Sequence, residues 1–132
     1  MLRTFINVNQ HISRKIGSIA PFTKDDIFAR YEETVHRFMA PGQIVADIGG
    51  GKKSIITKYK EEFPGIQIYA IDISDKELEE NSGADKKIVA DVTKEIPLPD
   101  ESVDMVISRS VLEHLQNQES FIKNCNHVLR SG

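Results

Sequence analysis

Cysteine is nearly absent: Cys125 is the single one among 132 residues, which excludes an internal disulfide and argues against a cysteine-based zinc site. Set on an apolar helical face, it reads as ordinary packing. Long apolar runs are missing as well. The longest are a handful of residues, far short of the ~20 that span a bilayer, so no transmembrane segment is expected. No sustained apolar stretch follows the basic start, so no secretory signal is read and a cytoplasmic location is expected. Positive charge is not in excess: 17 Lys and Arg against 20 Asp and Glu give a formal net charge of −3. A general nucleic-acid binder would show a basic face, so none is expected as a partner. What is present, 39% hydrophobic and 28% charged residues, suits one globular domain with a real core.

Acid is missing from residues 1–24, which carry Arg3, Arg14, Lys15 and Lys24. There Phe5, Val8, Ile12, Ile16 and Ile19 recur at helical spacing, a weakly basic amphipathic helix ended by Ala20-Pro21. It reads either as a membrane-surface or targeting segment or as a helix packed on the domain or closing over its ligand. The second reading is preferred. Thr23-Lys24-Asp25-Asp26 opens another helix, expected over Asp25 to Phe38. Residues 1–40 are thus expected to form a helical cap or lid, and 41–132 the main domain.

The densest signal is Val45-Ala46-Asp47-Ile48-Gly49-Gly50-Gly51. Gln43 to Ile48 reads as a short buried strand announced by Pro41-Gly42. The three glycines then let the chain turn and bring bare main-chain N–H groups to a ligand. Ile55, Ile56, Tyr59 and Phe63 predict a helix over Lys52 to Phe63. Strand, glycine turn and helix open a nucleotide-binding α/β unit. Ile66 to Ile71 is a second strand closed by Asp72, an acid at about the 20-residue distance from the glycines at which a carboxylate accepts ribose hydroxyls. Lys87 to Ala90 is a third strand, ending at Asp91-Val92. Val103 to Ser108 is a fourth, entered through the turn-rich Pro97 to Glu101.

The stretches VADIGGG, IYAIDIS, KKIVADVT, IPLPDESVDMVISRSVLEHL and VLRSG, in that order over residues 43–132, resemble the class I S-adenosylmethionine-dependent methyltransferases, in their small-molecule branch (methyltransferase type 11-like). Rival readings of the glycine turn fit less well. A P-loop needs G-x-x-x-x-G-K-[ST], but Ala46 occupies its first glycine position and Lys53 its Ser/Thr position. A nicotinamide site needs G-x-G-x-x-G; Ser54 replaces the third glycine, and Asp47 would repel a pyrophosphate. The same carboxylate attracts a ligand carrying a sulfonium and an ammonium. A structural turn with no ligand is the third rival. Lys53 departs from the family pattern D-x-G-x-G-x-G, which bears on cofactor affinity.

The resemblance implies an α/β, Rossmann-like parallel sheet with flanking helices and seven strands in the order 3-2-1-4-5-7-6. Only four strands are read here, so the sheet is expected to run 3-2-1-4 and to stop after strand four and one helix, from about Gln118 to Leu129. The chain is therefore expected to be the front part of a longer protein or a truncated product. Strand four would be an open edge through which the chain could self-associate.

The resemblance also implies roles. S-adenosylmethionine is the expected cofactor, with Gly49, Gly50 and Gly51 offering backbone and Asp47 orienting the ammonium. Asp72 would accept the ribose hydroxyls, Ile73 would pack on adenine, and Asp91 would accept the adenine amino hydrogens, with the Val92 N–H nearby. Each acid could instead cap a helix or close a turn, and Ser74 or Asp75 would cap a short helix over Lys76 to Glu80. Ser108, Arg109 and Ser110 would line the methyl-transfer mouth. His114 is a candidate general base, against a reading in which it packs within the VLEHL turn. The family has no universal catalytic base, and no metal is expected. The expected activity is methyl transfer to a small-molecule acceptor, a lipid or saccharide precursor by analogy. An inactive binding or interaction module is the alternative, and a nicotinamide oxidoreductase the third.

Overall fold

The structure is a computed structural model that describes residues 24–131. The chain divides into two compact units, Met1–Phe38 and Met39–Gly132. The described part of the first is α1, Lys24–Phe38, with His36 and Arg37 in its last turn, where the Arg37 charge meets the negative end of the helix dipole. The amphipathic helix expected upstream lies outside the described residues.

The second unit is a parallel sheet with β1 at Ile44–Ile48, β2 at Gln67–Asp72, β3 at Lys86–Val89 and β4 at Met105–Ser108. The strand order is β3-β2-β1-β4, as expected for an α/β domain of this kind. Register pairs Asp47 with Ala70 and Ile107, and Ile48 with Ile71 and Ser108. Alternation along each strand therefore separates two faces. One carries Ala46, Ile48 and Ile71 into a core completed by Val92, Ile96, Val103 and the helix α3, Gln118–Val128. From α3 come Phe121, Cys125 and Val128, spaced for one helical stripe. Cys125 is buried packing, as read from sequence; burial pushes its thiol up to about 11. The other face carries Asp47.

The helix predicted over Lys52 to Phe63 is not there. That stretch is a set of tight turns with one 3-10 turn, Thr57–Tyr59. Thr57, Tyr59 and Lys60 each donate to the carbonyl three residues back, and only Phe63 makes an α-type bond, to Tyr59. Ile55-Ile56-Thr57 is a β-branched run that stiffens side chains against the preceding turn, and Pro64-Gly65 cuts off extension. The helix α2, Asp75–Glu80, is capped by Ser74, whose hydroxyl accepts from the Glu77 N–H. Of the two candidates for that cap, Ser74 fills it.

Past α3, Leu129 forms a parallel bridge with Val103, and the Arg130 N–H donates to the Val103 carbonyl at 2.9 Å. Asp104 ties this region to β1: its carboxylate accepts from the Ile44 N–H at 2.7 Å and pairs with Arg130. Beyond that bridge, the outer side of Met105–Ser108 meets no described strand. Among the described residues, no helix is long and apolar enough to cross a membrane.

Candidate functional site

The chain order reverses between β1 and β4, the place where open α/β sheets bind ligands beyond the carboxyl ends of their strands. At the end of β1 the Gly49 and Gly50 N–H groups both donate to the Ile71 carbonyl, at 2.7 and 3.4 Å, which bends the chain over the end of β2. Gly49 has φ +72, and a Cβ there would fall 2.3 Å from Val111 Cγ2. Position and contact both require glycine.

Asp72 closes β2. One carboxylate oxygen accepts from the Gly51 N–H at 3.1 Å and the other from the Ser74 N–H at 2.9 Å. Each oxygen keeps a lone pair for a further donor. Beside it Ile73 is 72% exposed, an apolar side chain left open next to a carboxylate.

A cavity of about 280 Å³ lies at these strand ends, near the lower end of the range for small-molecule sites, ~300–1,000 Å³. Of the residues singled out from sequence, Gly49, Asp72, Ile73, Asp91, Val92, Ser110 and His114 line it. Val111 and Leu115 line it as well. Asp91 also has local partners: the Thr93 N–H and hydroxyl donate to it at 3.1 and 2.6 Å, and Lys94 approaches to 3.4 Å. The Thr93 hydroxyl bond is the main reason its carboxyl lies below the ordinary range. Val92 is fixed through its carbonyl, which accepts from the Asn124 amide on α3 at 2.9 Å. His114 is exposed, in the 3-10 turn Leu112–His114, and lines the cavity.

Asp47, Gly50, Gly51 and Ser108 do not line this cavity. Asp47 is 6% exposed, and burial pushes its carboxyl up to about 6. The nearby Ser54 hydroxyl and Arg109 favour the ionised form, and Asp72 opposes it. Ser54 acts by proximity: its buried hydroxyl falls short of full hydrogen-bond geometry with any partner among the described residues. The Ser108 hydroxyl is likewise buried without a hydrogen-bond partner among the described residues. Of the mouth expected from Ser108 to Ser110, only Ser110 reaches the cavity. Its φ of +58 is uncommon for a residue with a Cβ and turns the chain toward Val111. Lys53, the departure from the glycine pattern, is exposed.

Two residues of the site were not singled out from sequence. Val111 roofs Gly49. Asn81, fully buried, donates to the carbonyls of Gly50 and Gly51. The turn signal Asn81-Ser82-Gly83 was visible as a loop cue; its long-range partners were not.

Residues 46–132 match the family model described as a methyltransferase domain. A protein of Mycolicibacterium smegmatis named as a probable S-adenosylmethionine-dependent methyltransferase is 53% identical over 38 residues, 29% of this chain and 15% of that protein. The chain thus matches a small part of that relative's length. Among solved structures, a SAM-dependent methyltransferase from Aquifex aeolicus superposes with a TM-score of 0.63 at 21% identity, covering 76% of this chain and 58% of that one. Phosphoethanolamine N-methyltransferase 2 of Haemonchus contortus, in complex with S-adenosyl-L-methionine, gives 0.65 at 22%, covering 91% and 34%. These likenesses show the fold.

Proposed function

The chain belongs to the methyltransferase domain family, and from that premise we propose that it binds S-adenosylmethionine at the carboxyl ends of β1, β2 and β3 and passes a methyl group to a small-molecule acceptor. One observation carries the reading: three successive strand ends put Gly49, Asp72 with Ile73, and Asp91 around a single cavity. That set offers bare backbone, an apolar face and carboxylates, which suits a neutral nucleoside with hydroxyl and amino donors. A pyrophosphate would meet the wrong charge.

The residues fit the adenosyl portion in a definite order. Asp72 accepts from the ribose hydroxyls with the lone pairs its backbone donors leave open. Ile73 lies against the adenine face, and Asp91, already oriented by Thr93, accepts from the adenine amino group. Asp47, buried on β1 two residues before the glycine turn, holds the methionine ammonium when ionised. When bound, the cofactor supplies a methyl group on a sulfonium for in-line displacement, leaving a neutral thioether. The chain contributes alignment and exclusion of water, effects worth ~7–11 kcal/mol in favourable cases. Ser110 and Val111 form the wall that excludes water. His114, exposed on the same cavity, takes the proton of a hydroxyl or amine acceptor. A lipid or saccharide precursor is the acceptor class favoured by analogy.

Calorimetric titration with S-adenosylmethionine, S-adenosylhomocysteine and NAD tests the reading. Micromolar binding of both adenosyl ligands and none of NAD is expected. Binding of NAD alone, or of none by a folded protein, sinks it.

A further inference from the structure

Asn81 has 0% exposure, the deepest burial of any described polar side chain. A primary amide in that setting is tolerated only when its hydrogen-bonding capacity is filled. Here it is. Nδ2 donates to the carbonyls of Gly50 at 3.3 Å and Gly51 at 3.0 Å. Oδ1 accepts from the N–H groups of Gly83 at 3.2 Å and Ala84 at 3.1 Å. Two carbonyls face one end and two N–H groups the other, so the amide has only one way to sit.

The Gly50 carbonyl and the Gly51 N–H belong to one peptide unit, and in a trans peptide they point opposite ways. Asn81 holds the first and the Asp72 carboxylate takes the second, at 3.1 Å. The plane between two glycines has no Cβ on either side to resist rotation, so these two bonds set its angle. The other end of the brace has little slack. A Cβ on Gly83 would fall 2.3 Å from Thr57 Oγ1, so the loop after α2 sits tightly on the 3-10 turn. Without the Asn81 donors, the Gly50 carbonyl is left buried and unpaired, the peptide turns to find a partner, and Asp72 loses the N–H that orients one of its oxygens.

We propose that Asn81 is a positioning residue for the cofactor, acting through the Gly50–Gly51 peptide to hold the Asp72 carboxylate toward the cavity. This rests on the adenosyl reading of that cavity. Asn81→Asp keeps the acceptor for Gly83 and Ala84 while removing the donors to the glycine turn. S-adenosylhomocysteine affinity is measured by calorimetry for the wild type, Asn81→Asp, Asp72→Ala and the double variant. Asn81→Asp should weaken binding at least tenfold beside Asp72 and less than twofold in the Asp72→Ala background, because residues acting as a unit are not additive. Equal losses in both backgrounds, or no loss in a folded Asn81→Asp, overturn the proposal.

Should Asn81→Asp not fold, amide exchange in the wild type decides. The ligand should slow exchange at Gly51 and, through Asn81, at Gly83 and Ala84; slowing confined to Gly51 overturns the coupling. Absence of binding by the wild type itself removes the adenosyl reading, and the inference with it. That result is distinct from a loss seen only in a variant.

Discussion

The binding role proposed for Asp47 runs against the cost of burying its carboxylate. Its carboxyl titrates at about 6 in the fold against 3.8 in the open chain, with burial as the leading cause. The folded state therefore binds the proton more tightly than the unfolded state. Stability from this group is fully present below about 4 and falls as pH rises toward about 6, after which it is flat. The shift corresponds to a cost on the order of 2–3 kcal/mol at neutral pH. Asn at this position keeps the shape and removes the charge. Asp47→Asn should raise the melting temperature at pH 8 and change it far less at pH 4. The same substitution should weaken S-adenosylmethionine binding while leaving adenosine, which has no ammonium, little affected. Thermal melts at the two pH values with parallel titrations check both halves; a variant no more stable at pH 8 than the wild type would mean that burial does not govern this carboxyl. An acid retained against its own stability cost is what a binding role predicts.

At the scale of elements, strands were legible and their connections less so. IVADI and QIYAID are apolar runs of strand length between turn signals, and both form within a residue or two of the expected bounds. The segment after Gly51 was misread because Ile55, Ile56, Tyr59 and Phe63 satisfy a helical period. Periodicity ignores the cost of three adjacent β-branched residues, and local i−3 bonding won. The site divides the same way. Gly49, Asp72 and Asp91 stand at strand ends, which sequence marks; Asn81 earns its place through bonds to residues 30 and 31 positions away, which no local pattern records. For α3, stripe and cap agree: Phe121, Cys125 and Val128 face inward, and the Asn117 side chain accepts from the Ser120 N–H at 3.0 Å. Asn117→Ala should cost about 1 kcal/mol, read as a lower denaturant midpoint with an unchanged slope. An unchanged midpoint would show that tertiary packing alone sets the start of this helix.

At the scale of the whole molecule, the outer side of β4 meets no described strand. In the order β3-β2-β1-β4 the inner strands β2 and β1 are paired on both sides, while among the described residues the outer strands β3 and β4 are each paired on one. Leu129 and Arg130 begin to run beside Val103, but Met105–Ser108 has no described strand on its outer side. Exposed backbone N–H and C=O groups on an apolar strand favour pairing with another chain, and a second copy offers the same edge. Two features work against it: the strand is only 4 residues long, and Asp104 and Arg130 put charge at its entrance. Pairing through so short an edge should be weak, so association should appear only as concentration rises. Sedimentation velocity across a hundredfold concentration range should show the mean mass climbing, with amide exchange in β4 slowing in step. A constant monomer mass with unchanged β4 exchange would mean that the short strand and its charged entrance suffice to keep the edge from pairing. Added S-adenosylhomocysteine separates the edge from the site. The cavity lies at the carboxyl ends of the strands, and pairing runs along the side of β4. Ligand should therefore leave the mass profile unchanged, and a ligand-dependent shift would place the association surface over the cavity instead.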